Sequence, residues 1–395
     1  LASRREFLRV VAGAAVSATG VASYSAAADD AAVADKLPPP EQRRLILVVF
    51  GGGTRNSESV GDGEHRYIPQ LWKEMIPRGT LFTNMRVEHR VVHPNCNASI
   101  KTGHWQYDDL DWSKPPRHPT IFEIVRKQRD LPDTAAWACV YASILANTGH
   151  SSAEGYGPPF AANVVEPPTI PRTTAEEMER LMAAARATGS PEAEEKAAAE
   201  CARLAHTASR IAAGGLRSET ARRWLEEQYQ NWRQTTGATT SHDAFLADRA
   251  CACMKRFSPH VMSVDFGEID CAHYGSWSRY VEAIRRTDQL TWQLWQAAET
   301  LSDYRGKTLM LVLPDHGREL DQPGQSGFIH HGDFYTNQRA DEGCRRTWML
   351  AIGPGIKPGQ RIDRPVPITA AAATGLRYLG LEASQDAAPP VLDFW

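Results

Sequence analysis

The 395-residue sequence contains no run of about 18 apolar residues, so no membrane-spanning helix is expected after removal of an export signal. An excess of basic charge is also missing. Forty-four Lys and Arg against 47 Asp and Glu leave a formal net charge of -3. That balance gives no reason to expect a nucleic-acid partner, because phosphate binding needs a basic surface. Cysteine is sparse: Cys96, Cys139, Cys201, Cys251, Cys253, Cys271 and Cys344 form an odd set without zinc-knuckle spacing. One or two disulfides and buried free thiols are both compatible with it. There is no internal repeat and no heptad run, so no oligomeric state is implied. What is present is 42% apolar residues, enough for a substantial core in one large domain or two ordinary ones.

The N-terminus reads as an address. Ser3-Arg4-Arg5-Glu6-Phe7-Leu8 precedes an apolar stretch from Val10 to Val21 and small residues around Ala26 to Ala28. This is the pattern of a twin-arginine export signal over 1–29, which implies a periplasmic or secreted protein. An Ala/Pro-rich linker over 30–42 follows. Leu45 to Phe50 is continuous, apolar and β-branched, and it ends in Gly51-Gly52-Gly53. A strand buried on both faces reads this way. His260 to Phe266, Thr308 to Leu313 and Thr347 to Ile352 repeat the pattern, and Ser278 to Thr300 between them has helical spacing. The alternation predicts an α/β fold over 43–395, a three-layer α/β/α sandwich with a mostly parallel central sheet. Ala-, Glu- and Arg-rich helices over 173–250 read as an insertion in it, with breaks at Gly189-Ser190-Pro191 and Gly214-Gly215.

In such sheets the chemistry lies in loops at the carboxyl ends of strands. Three polar clusters fall there. Asp270 and His273 stand three apart after a predicted strand and can share one divalent cation. Asp315-His316-Gly317 follows another strand, with Gly317 permitting a sharp turn. In His330-His331-Gly332-Asp333 only one histidine is expected to face the site, and His331 is favoured because a glycine follows it. Together these offer two Asp and three His, a set suited to a two-metal centre.

The order of these clusters resembles the alkaline phosphatase superfamily, which includes nucleotide pyrophosphatases/phosphodiesterases, sulfatases and cofactor-independent phosphoglycerate mutases. The resemblance runs from Leu45 to the C-terminus and covers Trp348 to Gly359 and the closing segment Pro367 to Gly380. It implies that Asp270, His273 and His331 hold one metal, and Asp315 and His316 the other. It further implies one or two divalent ions per chain, zinc before manganese, and a small anionic ester as substrate.

Two positions depart from the family pattern. Its first strand ends in a metal-binding Asp, where this chain has Gly51; Glu58 and Asp62 lie nearby as substitutes. Its nucleophile precedes a Thr-Gly, here Thr102-Gly103, and the same spacing lands on His93. Imidazole can serve as nucleophile or as metal ligand. Thr54, Cys96 and Ser99 are alternatives, although Cys96 lacks the Cys-x-Pro-x-Arg context of sulfatases. Asn95 and Asn97 flank the position as oxyanion donors or helix caps, Arg55 and Lys101 as anion contacts or surface charges, and His104, Trp105 and Asp109 as cleft-lining residues. The expected function is exported, metal-dependent hydrolysis of phosphate or sulfate esters, with His93 and Asn97 as catalytic candidates. The alternative is a non-catalytic binding protein that keeps the fold.

Overall fold

The computed structural model describes residues 37–106, 112, 114–167, 174–214, 218–236, 241–323, 327–332 and 340–395. The expected export signal, Asp109 and Asp333 lie outside the described residues. The chain divides into Leu1–Leu37 and Pro38–Trp395, and the architecture below is that of the second unit.

Nine strands form one sheet: β1 (Arg44–Phe50), β2 (Thr80–Arg86), β3 (Ala136–Val140), β4 (Asn163–Val165), β5 (Val261–Phe266), β6 (Thr308–Leu313), β7 (Arg346–Ile352), β8 (Gln360–Ile362) and β9 (Val366–Pro367). Their order is β4-β3-β5-β1-β6-β7-β2-β8, with β9 also paired to β2. All neighbouring pairs are parallel except the two that involve β7. The reversal has a local cause. Among the described residues between β6 and β7 there are a 3₁₀ turn, Gly327–Ile329, and one short helix, α8 (Glu342–Arg345), but no long crossover helix, and β7 pairs antiparallel with β6.

The continuous hydrophobicity of β1 reflects burial on both faces. Ile46, Val48 and Phe50 join the core with Phe245 and Leu246 of α6 (His242–Phe257) and with Tyr280 and Ile284 of α7 (Trp277–Thr300). Leu45, one step out of phase, meets the closing helix α9 (Ala370–Tyr378), where a Cβ on Gly375 would come 2.5 Å from its Cδ2. Helices thus cover both faces, giving the expected three layers.

Helices α3 (Thr174–Thr188), α4 (Pro191–Gly214) and α5 (Glu219–Thr236) occupy the predicted insertion, and the first break falls at Gly189-Ser190. The last two helices of this stretch are more than a solvated cap. Trp224 of α5 packs edge-on against Trp137 of β3 with ring centroids 5.5 Å apart. Helix α6 runs on to Phe257 and packs on the sheet through Phe245, Leu246, Ala250 and Met254.

Two further helices, α1 (His93–Thr102) and α2 (Ile121–Gln128), complete the layers. Helix α1 is buried from Pro94 to Thr102 and stops at Gly103, whose φ of 79° closes it in the left-handed conformation.

Candidate metal centre

The parallel strands β3, β5, β1 and β6 are adjacent, so the loops that follow them open on one edge of the sheet. After β5 the chain makes a 3₁₀ turn over Glu268–Tyr274. At three residues per turn, Asp270 and His273 eclipse each other. His273 Nδ1 lies 2.6 Å from Asp270 Oδ1. The turn is anchored from α6, where the Asp243 carboxylate accepts the N–H groups of Gly267 at 2.9 Å and Glu268 at 3.0 Å.

After β6, the His316 N–H donates to its neighbour Asp315 Oδ1 at 3.0 Å. His316 Nδ1 donates to the Gly317 carbonyl at 2.7 Å, which leaves Nε2 as the free lone pair. Gly317 serves close approach rather than a left-handed turn, since a Cβ there would lie 1.9 Å from the Gly343 carbonyl oxygen.

His93 and Asn97 sit one turn apart on α1. Asn97 Nδ2 donates to the His93 carbonyl at 3.0 Å and to Asp315 Oδ2 at 3.3 Å, so its amide holds Asp315 in place. His93 bridges the two carboxylates: Nδ1 lies 2.7 Å from Asp315 Oδ2, and Nε2 lies 3.0 Å from Asp270 Oδ1. His316 Nε2 is 2.9 Å from His93 Nδ1. His331 is buried 4.8 Å, centroid to centroid, from His316 and 5.2 Å from His93. His330 points elsewhere, its Nδ1 accepting the Gly332 N–H at 2.8 Å. Donor atoms of His93, His316 and His331 all lie within 4.8 Å of one another. Two donors on one tetrahedral zinc are separated by about 3.4 Å, so this group fits a single ion.

The electrostatics follow from this crowding. Burial is the largest influence on His93 and opposes its protonation, but Asp270 and Asp315 outweigh it and push His93 up to about 10. Burial also works to raise Asp270 and Asp315. Charge from His93, joined by His273 and by His316 respectively, nevertheless holds both below the usual carboxylate range. Burial lowers His316 to about 4 and lowers His331 further, so both present neutral nitrogens, the form that binds metal.

Residues expected from the sequence as Asp270, His273, His331 on one side and Asp315, His316 on the other therefore share one cluster, with His93 between them. No carboxylate replaces the missing first-strand acid among the described residues. Glu58 pairs with Arg55 at 2.6 Å, and Asp62 with Arg66 at 3.2 Å. A Cβ on Gly51 would come 2.2 Å from the Phe266 carbonyl oxygen, so a side chain at that position is sterically excluded. Arg55 and Lys101, considered as anion contacts, are internal. Lys101 pairs with Asp265 at 2.5 Å, both fully buried. Cys96 is buried beside the Arg90 carbonyl, and no disulfide joins the seven cysteines. Asn95 ties Arg90 to Gln106 through its amide. His104 stacks on His118, and Trp105 on His89.

Two residues of this edge escaped the sequence reading. Arg318, directly after Asp-His-Gly, is wholly buried. Its guanidinium binds the carbonyls of Gly52, Gly53 and Ile269 and comes within 3.9 Å of Asp270 Oδ1. Its only sequence signal is its position after the cluster. Tyr141, the first residue after β3, stands edge-on to His93 with centroids 6.2 Å apart. Burial, then Asp270 and Asp315, raises its hydroxyl well above the ordinary phenol value.

A mostly parallel α/β/α sandwich with histidines and carboxylates gathered at the carboxyl edge of its central strands defines the class. No family model matches the sequence, and no curated protein matches it. Solved structures do. PsFucS1 sulfatase from Pseudoalteromonas sp. matches at a TM-score of 0.54 and 14% identity, over 90% of this chain and 72% of that one. A protein in the alkaline phosphatase superfamily from Vibrio parahaemolyticus matches at 0.50 and 13% identity, over 89% and 70%. Phosphonate monoester hydrolase of Agrobacterium radiobacter matches at 0.50 and 13% identity, over 89% and 76%. The fold of this chain is similar to that of these three proteins.

Proposed function

We propose that this chain is a metal-dependent hydrolase of small phosphate or sulfate esters that acts after export. The observation that carries the reading is the meeting of His93, His316 and His331 donor atoms within 4.8 Å, bracketed by Asp270 and Asp315. Imidazole nitrogens with carboxylate oxygens are a zinc set, and manganese is the second choice. A divalent cation bound there would supply Lewis-acid polarisation of the ester oxygens. The protein's own groups do the rest. His93, on the first turn of α1, acts in this reading as a ligand rather than a nucleophile, because both ring nitrogens are directed at the centre. Asn97 orients Asp315. His273, hydrogen-bonded to Asp270, is placed to move a proton at the mouth of the site. The N-terminal end of α1 adds a partial positive charge that favours an anion. The fold likeness to a sulfatase and a phosphonate hydrolase supports the substrate class. The Ser3 to Leu8 pattern supports twin-arginine export, with 1–29 as the signal.

The test is turnover of aryl phosphates, aryl sulfates and phosphodiesters by the purified mature chain. Activity should vanish on chelation, return with zinc or manganese, and be lost in Asp315→Ala. A fully metal-loaded chain that turns over none of these esters would sink the hydrolase reading.

Such a result would leave the second reading, a binding protein that keeps the fold and one metal. The exclusion of any side chain at Gly51 favours it, because that removes a carboxylate from the ion-binding set.

A further inference from the structure

The strand edge that carries the metal-ligand candidates also presents one polar group with no assigned role. Tyr141 follows β3 directly, and the β3–β5 register pairs Val140 with Asp265, which brings Tyr141 opposite Phe266 and Gly267. Gly267 is what makes this possible. A Cβ there would fall 2.1 Å from Cγ and from Cδ2 of Tyr141, so the ring lies flat on a bare backbone. At the far edge of the ring, Cε1 lies 3.6 Å from where a Cβ of Gly51 would stand. The space beside Gly51, where the sequence lacks an acid, is therefore bordered by the phenol.

Packing alone explains the ring but not the hydroxyl. Phenylalanine would cover Gly267 equally well. The Tyr141 hydroxyl makes no hydrogen bond to a described residue, and the residue is half-buried. Buried tyrosines normally find a partner for their hydroxyls, so one at the border of a site is free to offer its O–H to a ligand. Here the ring is edge-on to His93, the residue between both carboxylates, with centroids 6.2 Å apart and planes at 88°. A rigid ring with an unused O–H beside a cation-binding cluster is preorganised to donate to whatever anion the cluster draws in.

We propose that Tyr141 is a substrate-contacting hydrogen-bond donor, directed at the anionic oxygens of a tetrahedral phosphate or sulfate group held at this centre. The inference rests on the hydrolase reading for its ligand class, but it concerns binding of the oxyanion and can be measured without turnover.

The experiment compares the zinc-loaded full chain with Tyr141→Phe, which keeps the ring over Gly267 and removes only the hydroxyl. The probes are inorganic phosphate and inorganic sulfate, titrated by calorimetry, with zinc affinity measured on both proteins. A neutral donor to a charged acceptor predicts about tenfold to hundredfold weaker oxyanion binding in the variant, with zinc affinity unchanged. Oxyanion affinities equal within about twofold would overturn the proposal. So would a wild-type chain that binds neither ion, or a variant whose zinc affinity falls in step. The two readings fail separately. Tyr141-dependent oxyanion binding without ester turnover would sink the hydrolase reading alone. Ester turnover with kcat and KM unchanged by Tyr141→Phe would sink the role of Tyr141 alone.

Discussion

The backbone of Gly53 lies against the imidazole of His316: a Cβ on Gly53 would come 3.0 Å from His316 Cε1 and 2.9 Å from the Gly317 carbonyl oxygen. The loop after β1 and the loop after β6 are thus in direct contact, and the first forms a wall for the second. Gly53 also has a φ of 75°, a conformation that side chains resist. Gly53→Ala should cost about 1–3 kcal/mol of stability and displace the His316 ring. Thermal melting and metal content of the variant check both effects. A variant as stable and as metal-rich as the wild type would show that the contact is slack.

Metal content should be close to one equivalent per chain. The three histidine donors share a single position, and no acid stands at Gly51 to help hold a second ion. Elemental analysis of the purified chain should find that one zinc or manganese, and His316→Ala and His331→Ala should each lose it. Two equivalents in the wild type would mean that Asp270 and His273 complete a separate site.

Metal binding should strengthen with pH. In the ion-free chain His93 is held protonated up to about 10 by Asp270 and Asp315. An entering cation must displace that proton. Zinc affinity should therefore rise by roughly tenfold per pH unit below that value, with about one proton released per ion. Titrations at several pH values in buffers of different ionisation enthalpy measure both. The same shift acts on the stability of the ion-free chain. The contribution of His93 is fully present below the unfolded imidazole value near 6.5, and it is lost as pH rises through about 10.

The Lys101–Asp265 pair should be an anchor for α1. Both groups are fully buried, and Thr148 Oγ1 accepts a second hydrogen bond from Lys101 Nζ at 2.8 Å. Lys101→Met leaves Asp265 uncompensated and should cost about 3–5 kcal/mol, whereas Lys101→Met with Asp265→Leu should recover most of the loss. Urea denaturation of the single and double variants measures this. A single variant as stable as wild type would remove the pair from the account of how α1 is held.

The readable part of the fold was its centre. β1, β5, β6 and β7 are buried along almost their whole length; β1 and β6 are continuous apolar runs after their first residue, whereas β5 also holds Ser263 and Asp265 and β7 begins Arg346-Thr347. β2 is partly buried and mixed in character, with Thr80, Thr83, Asn84 and Arg86 among its seven residues. β3 is five residues long and contains two alanines and a cysteine. Neither has a pattern that separates it from a loop or a short helix. The site followed the same division. Asp270 and His273 show their pairing in their spacing, because three residues complete one 3₁₀ turn. Arg318 and Tyr141 do not, because nothing local distinguishes a buried guanidinium or a site-facing phenol from a surface one.

By itself the sequence determined the α/β alternation, the strands at the middle of the sheet, and the chemical identity of the donors that follow them. These depend on side-chain hydrophobicity and short-range spacing, which are written in adjacent residues. Only the tertiary structure decided that His93 stands between Asp270 and Asp315 and that position 51 has no room for a side chain. Those facts depend on the pairing of β1 with β5 and on the packing of α1 across the sheet edge. Such contacts join residues far apart in the chain, and local pattern carries no record of the distances between them.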